Sequence, residues 1–187
     1  MERDLVYKAL CFATQAHKGQ ERKFTYEPYI VHPVEVMGFL MAYADNVTPE
    51  MCAAALLHDV VEDTRFTLLD IYKIFGDPTT RYVEGLTDQY VNGYKIDGVK
   101  QNRTTRKRLE RERLAKESAE VQTIKCADLL SNTRTIVEFD PGFARIYLKE
   151  KEEVLKLLDK ADNRLWNVTN QSLYDSKEKL YEIGSAE

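Results

Sequence analysis

Residues Ala53 to Thr64 read A-A-A-L-L-H-D-V-V-E-D-T, and the fold follows from how this stretch is read. A strongly apolar helical run delivers His58 and Asp59 side by side, with Glu62 and Asp63 four residues on in each case. One helical turn separates the two pairs, so all four polar side chains can cluster near one end of the helix. Burying charges without partners costs several kcal/mol each. Such a cluster therefore points to a metal, to catalysis or to a tight ion-pair network. An exposed helix end with incidental acids is the plain alternative.

Upstream, Thr48-Pro49-Glu50 reads as an N-cap, an N1 proline and a first-turn acid, so the central helix is expected from there to about Asp63. His32-Pro33 opens a helix over His32–Ala44, with Pro33 suited to the first helical position. Before it, Gln20–Val31 carries Arg22, Lys23 and Tyr26-Glu27-Pro28-Tyr29 without period, which predicts a loop. A first core helix over Leu5–His17 ends at Lys18-Gly19.

Downstream, short helices are predicted over Thr67–Phe75 and Pro78–Leu86. From Thr87 to Asn102, Asn92, Gly93, Gly98 and Asn102 interrupt any period, which predicts a mobile loop or lid. Thr104–Ser118 reads as a charged helix with opposite charges three or four residues apart, a solvated face by its composition, some of whose Arg and Lys can face an anionic ligand. Val121–Phe139 is a core helix with Asp128 lying inside its apolar stretch. Asp140-Pro141-Gly142 breaks the chain, Phe143–Leu158 follows as an amphipathic helix, and the tail adds room for one more. No β-alternation of useful length and no repeat appears. The expected architecture is a single all-α domain, residues 1–187, of about seven to nine helices.

Composition sets the outer limits. The chain has 187 residues, 43% hydrophobic and 31% charged, the profile of a globular protein rather than a disordered one. Its 27 Lys and Arg against 31 Asp and Glu leave a net charge of −4, which gives no broad electrostatic case for nucleic-acid binding. An anionic substrate must be held locally. No N-terminal signal pattern and no apolar run of membrane-spanning length is present, so a cytoplasmic protein without membrane partners is expected, with an oligomer possible. Cys11, Cys52 and Cys126 each sit in an apolar helical pattern and are expected as buried thiols.

Only three histidines occur, which makes their positions informative. His32 and His58, with Asp59 and Asp128, form a possible set of two imidazoles and two carboxylates spread over three helices. His17, at the end of the first helix, is expected to pin the following loop.

These residues resemble a known family. His32, His58-Asp59 and Asp128 resemble the ligand pattern of the HD superfamily of metal-dependent phosphohydrolases. Ala16-His17-Lys18-Gly19-Gln20, Arg22-Lys23, Pro28-Tyr29-Ile30-Val31-His32-Pro33, Ala55 to Thr64 and Lys125-Cys126-Ala127-Asp128-Leu129-Leu130-Ser131-Asn132 narrow it further. Over about residues 1 to 140 the chain is similar to the hydrolase domain of the RelA/SpoT proteins and to stand-alone small alarmone hydrolases of the Mesh1 type.

The resemblance implies an HD-domain helical bundle holding one divalent cation, Mn²⁺, on His32, His58, Asp59 and Asp128, with Fe²⁺, Co²⁺ or Zn²⁺ also acceptable to such ligands. It implies that Glu62 and Asp63 handle the water, and that Arg22, Lys23, Tyr29 and Asn132 contact a small nucleotide substrate. The implied reaction is hydrolysis of the 3′-pyrophosphate of guanosine tetra- or pentaphosphate to GDP or GTP plus pyrophosphate. The sequence departs from the family between Leu86 and Lys125, where Arg106-Lys107-Arg108, Arg111 and Arg113 match only loosely. Leu129 also stands where a basic residue is common. Another nucleotide, such as a nucleoside monophosphate or NADPH, and a non-catalytic nucleotide-sensing module therefore stay open as alternatives.

Overall fold

The computed structural model describes residues 2–91 and 93–185. Asn92, one of the residues that mark the expected loop, lies outside the described residues. The helices in chain order are α1 (Glu2–Ala16), α2 (Val31–Tyr43), α3 (Pro49–Leu57), α4 (Val60–Asp63), α5 (Leu68–Phe75), α6 (Asp77–Leu86), α7 (Arg103–Leu114), α8 (Ala119–Phe139), α9 (Pro141–Leu155) and α10 (Asn163–Ser185). Counting α3 and α4 as one interrupted helix, the described residues hold nine, the upper end of the expected range.

Helix α3 lies at the centre of the bundle. Thr48 caps it by accepting from the Met51 amide at 3.2 Å, and Pro49 occupies its first turn. Every residue from Met51 to Leu57 is buried, which explains a run with no polar face. It packs against α1, α2, α6 and α8. The long α8 is the second axis and packs against α10, α2 and α9. The indole of Trp166 donates to the Leu155 carbonyl at 3.0 Å and ties α10 to the end of α9.

Several local expectations are corrected. The central helix does not continue to Asp63: it ends at Leu57, and Asp59, at φ −93° and ψ −6°, turns the chain before α4. Helix α2 begins at Val31, so Pro33 is its third residue, still within the first turn where a missing N–H is harmless. Ser118 does not belong to the charged helix; it caps α8, accepting from the Val121 amide at 3.4 Å. Nor is α7 only a solvated face, because Glu110 is buried and paired with Arg113, whose guanidinium also reaches the Gly85 carbonyl at 2.9 Å.

The expected irregular segment contains a short antiparallel hairpin, β1 (Lys95–Ile96) and β2 (Val99–Lys100). Asp97 and Gly98 supply its turn with φ of 49° and 80°. Positive φ at both central residues is the twist-matched hairpin geometry that Asp-Gly favours. Of the cysteines, Cys52 and Cys126 are buried as expected, but Cys11 is exposed, on the outward face of α1. No helix among the described residues is long and apolar enough to cross a membrane.

Candidate metal centre

Three segments bring four side chains to one point. His32 comes from the first turn of α2, His58 and Asp59 from the break between α3 and α4, and Asp128 from the middle of α8. His32 Nε2 lies 3.5 Å from Asp59 Oδ2 and 3.4 Å from Asp128 Oδ1. His58 Nε2 lies 3.0 Å and 3.9 Å from the same two oxygens. Both imidazoles and Asp128 are buried.

The outer nitrogens of the two rings are already committed. His58 Nδ1 faces the Ala55 carbonyl at 2.8 Å, so that nitrogen carries the proton. The Ser131 hydroxyl donates to Glu35 Oε2 at 2.6 Å, which leaves its oxygen to accept from His32 Nδ1 at 2.9 Å. Both Nε2 atoms therefore turn their lone pairs toward carboxylate oxygens, an arrangement that repels unless a proton or a cation lies between. His58 Nε2 is buried and makes no aligned hydrogen bond despite its 3.0 Å approach to Asp59. Ligand atoms of His32, His58 and Asp59 all lie within 4.8 Å of one another, a spacing that fits a shared divalent ion.

The acids are supported from behind. Tyr29 donates its phenol to Asp59 Oδ2 at 2.6 Å. Asn132 Nδ2 donates to Asp128 Oδ1 at 2.6 Å, and Lys125 Nζ pairs with Asp128 Oδ2 at 2.7 Å. Burial opposes the ionised form of Asp128, but Lys125 and the two imidazoles outweigh it and hold the carboxyl well below the usual range. Burial works against protonated His58 as well, yet Asp59 and Asp128 push its pKa up to about 9 in the metal-free cluster. Burial and the neighbouring Asp59 drive the Tyr29 phenol far upward, so it stays a neutral donor.

A two-lobed cavity opens over the cluster. The larger lobe, about 320 Å³, carries six acids, Asp59, Glu62 and Asp128 among them, together with the five cations Arg103, Lys107, Arg111, Lys125 and Lys151. The smaller, about 240 Å³, is lined by Arg22, Lys23, Phe24, Thr25 and Ile136. Tyr29, His32, Asn132, Phe143 and Tyr147 line both, so the His and Asp cluster stands at the junction.

The two acids expected to handle water, Glu62 and Asp63, have different surroundings. Glu62 lines the larger lobe, where its Oε1 accepts from the Asp88 amide at 2.6 Å and burial raises its pKa. Asp63 lines neither lobe; burial and the charge of Asp59 raise its carboxyl. Its carbonyl accepts from Gln20 Nε2 at 2.7 Å, and Gln20 Oε1 meets His17 Nδ1 at 2.7 Å. His17, its ring tilted against Tyr29 with centroids 4.8 Å apart, thus pins the loop after α1. Arg22 is half-tied to Glu35 at 3.4 Å, and Lys23 reaches Asp140 at 3.8 Å while staying largely exposed.

Sequence reasoning missed Glu35 and Ser131 behind His32, Lys125 behind Asp128, and the contribution of α9 through Phe143, Tyr147 and Lys151. Lys125 had a usable signal, its i,i+3 spacing to the buried Asp128. The others depend on which faces of distant helices meet.

Comparison with known proteins agrees with this geometry. The chain is 36% identical over 155 residues to a probable guanosine-3′,5′-bis(diphosphate) 3′-pyrophosphohydrolase of Synechocystis, covering 80% of this chain and 19% of that protein. It is 37% identical over 134 residues to the GTP pyrophosphokinase rsh of Brucella melitensis, covering 71% and 17%. The chain thus spans less than a fifth of the length of these curated relatives. Among solved structures, a metazoan ortholog of SpoT that hydrolyses ppGpp superposes with a TM-score of 0.80 at 29% identity, covering 91% of this chain and 94% of that one. The sequence profile of the HD domain matches residues 9–158, a span that takes in α9 beyond the expected limit near residue 140. With both the fold and the His and Asp cluster in place, the chain belongs to the HD domain family.

Proposed function

We propose that this chain hydrolyses the 3′-pyrophosphate of guanosine tetra- or pentaphosphate, releasing pyrophosphate and leaving GDP or GTP. The observation that carries the reading is the convergence of the buried His58 Nε2 with His32, Asp59 and Asp128 at the junction of two cavity lobes. The Synechocystis relative and the metazoan SpoT ortholog, by their own described activities, support the choice of substrate.

His32, His58, Asp59 and Asp128 would hold the ion. Mixed imidazole and carboxylate donors suit Mn²⁺, and they also accept Fe²⁺, Co²⁺ or Zn²⁺. A bound divalent cation supplies Lewis acidity, acidifying water and neutralising phosphoryl charge.

The residues of the chain divide the remaining work. Glu62 lines the larger lobe only, which supports a role in orienting a water there and taking its proton, and its upward-shifted pKa favours that acceptance. The aromatic smaller lobe, with Arg22, Lys23, Phe24 and Tyr147, suits the nucleoside. Water then attacks the proximal phosphorus from the Glu62 side, the bond from phosphorus to the ribose 3′ oxygen breaks, and that oxygen takes up a proton on the nucleoside side. Attack and departure on opposite faces satisfy the in-line requirement of phosphoryl transfer. Tyr29 and Asn132 act here by fixing Asp59 and Asp128 as well as by bordering both lobes.

The test is a panel of nucleotides with and without added Mn²⁺, scored for pyrophosphate against orthophosphate. Metal-dependent pyrophosphate release from guanosine tetraphosphate is expected. Orthophosphate from a monophosphate or from NADPH selects the other phosphohydrolase reading, and no release from any nucleotide selects the sensing module.

A further inference from the structure

Five cations line the larger lobe, and four of them are held by carboxylates. Arg103 pairs with Glu150 at 2.7 Å, Lys107 with Asp88 at 3.1 Å, Arg111 with Glu153 at 2.8 Å and Lys125 with Asp128 at 2.7 Å. Lys151 is the exception: among the described residues no carboxylate lies within ion-pair distance of it, and its ammonium sits 4.9 Å from the centre of the Tyr147 ring. A cation in a cavity wall, supported only by an aromatic face, is short of a counter-charge. Burial and the charge of Lys125 pull its pKa down to about 8, the same electrostatic shortage seen from another side.

Position adds to charge. The His and Asp cluster stands where the lobes join, Glu62 and Lys151 line only the larger lobe, and the smaller, more aromatic lobe lies on the other side. A pyrophosphate whose proximal phosphorus lies at the cluster has its second phosphate left to place. The smaller lobe is filled by the nucleoside in this reading, so the larger lobe is what remains.

We infer that Lys151 is the missing partner of a bound anion, and that the larger lobe is a subsite for the distal phosphate of the 3′-pyrophosphate, with Lys107 and Arg111 on the same wall. This rests on the hydrolytic reading above and makes it more specific: the lobe selects a diphosphoryl group over a single phosphate at the 3′ position. Lys151 binds that phosphate in the substrate and keeps it in the pyrophosphate product, while the nucleoside diphosphate leaves from the other lobe.

The test uses Mn²⁺-loaded full-length chain and three probes: inorganic pyrophosphate, orthophosphate and GDP, with affinities from calorimetry. Wild type is expected to bind pyrophosphate more tightly than orthophosphate. Lys151→Met, with its fold checked by circular dichroism, should weaken pyrophosphate binding roughly tenfold or more while changing GDP affinity less than about twofold, and Lys151→Arg should restore most of the loss. Unchanged pyrophosphate affinity, or equal losses for pyrophosphate and GDP, overturns the inference. Turnover of guanosine tetraphosphate by the wild type is measured in parallel. If it is absent while pyrophosphate binding still depends on Lys151, the proposed reaction fails and the anion subsite stands.

Discussion

His32 Nδ1 and Ser131 Oγ lie 2.9 Å apart, joining the first turn of α2 to the middle of α8 behind the His and Asp cluster. Because the Ser131 hydroxyl donates its hydrogen bond to Glu35 at 2.6 Å, the contact fixes the His32 tautomer and turns Nε2 toward Asp59 and Asp128. Ser131→Ala should therefore weaken Mn²⁺ binding by roughly 10- to 100-fold with the helical circular dichroism signal intact. Metal affinity equal to wild type would show that the ring is oriented by packing alone.

Glu62 is expected to act on water rather than on the metal. Glu62→Gln keeps the shape and the hydrogen bond to the Asp88 amide but cannot take a proton. The expected outcome is a kcat lower by roughly 10²- to 10⁴-fold with Mn²⁺ affinity little changed. A near-normal kcat would move the proton-accepting role elsewhere.

Much of this site is legible in the amino-acid sequence. Histidine is rare in the chain, and a His-Asp pair at the end of an apolar run needs distant partners, so His32 and Asp128 are identifiable from their chemistry and the resemblance. The break at His58-Asp59 is not, since a uniformly buried apolar run carries no sign of where its backbone turns. The cationic wall is hidden for another reason. Lys107, Arg111 and Lys151 have the spacing of ordinary surface charges on two helices, and only the packing of α7 and α9 over the cluster makes them a wall. The Asp97-Gly98 hairpin, by contrast, carries a turn signal, but its two-residue strands are too short to show the alternation that marks a strand.

The pH dependence has a definite sign. Since Nδ1 of His58 is committed to the Ala55 carbonyl, the proton held with a pKa of about 9 sits on Nε2, the atom a metal needs. That pKa is raised above the unfolded value near 6.5, so the proton's contribution to stability of the metal-free chain is full below about 6.5 and is lost as pH rises through about 9. Metal competes with the same proton, so Mn²⁺ affinity should rise by up to roughly tenfold per pH unit toward about 9, with about one proton released per ion. Calorimetry in buffers of different ionisation enthalpy measures that release. A pH-independent affinity would place the proton elsewhere.

Arg22 and Lys23 line the nucleoside lobe and make only weak ion pairs, at 3.4 Å and 3.8 Å. Changing both to Ala should raise KM for guanosine tetraphosphate by about tenfold while lowering kcat less. An unchanged KM in steady-state kinetics would remove them from substrate binding.

The central claim is that His32, His58, Asp59 and Asp128 form one hydrolytic metal site. Its most direct test is Mn²⁺ stoichiometry and pyrophosphate release measured on the same samples of wild type and folded His58→Ala. One Mn²⁺ per chain and metal-dependent release are expected in the wild type, with both lost together in the variant. A His58→Ala chain that still binds one Mn²⁺ tightly and releases pyrophosphate at the wild-type rate would contradict it.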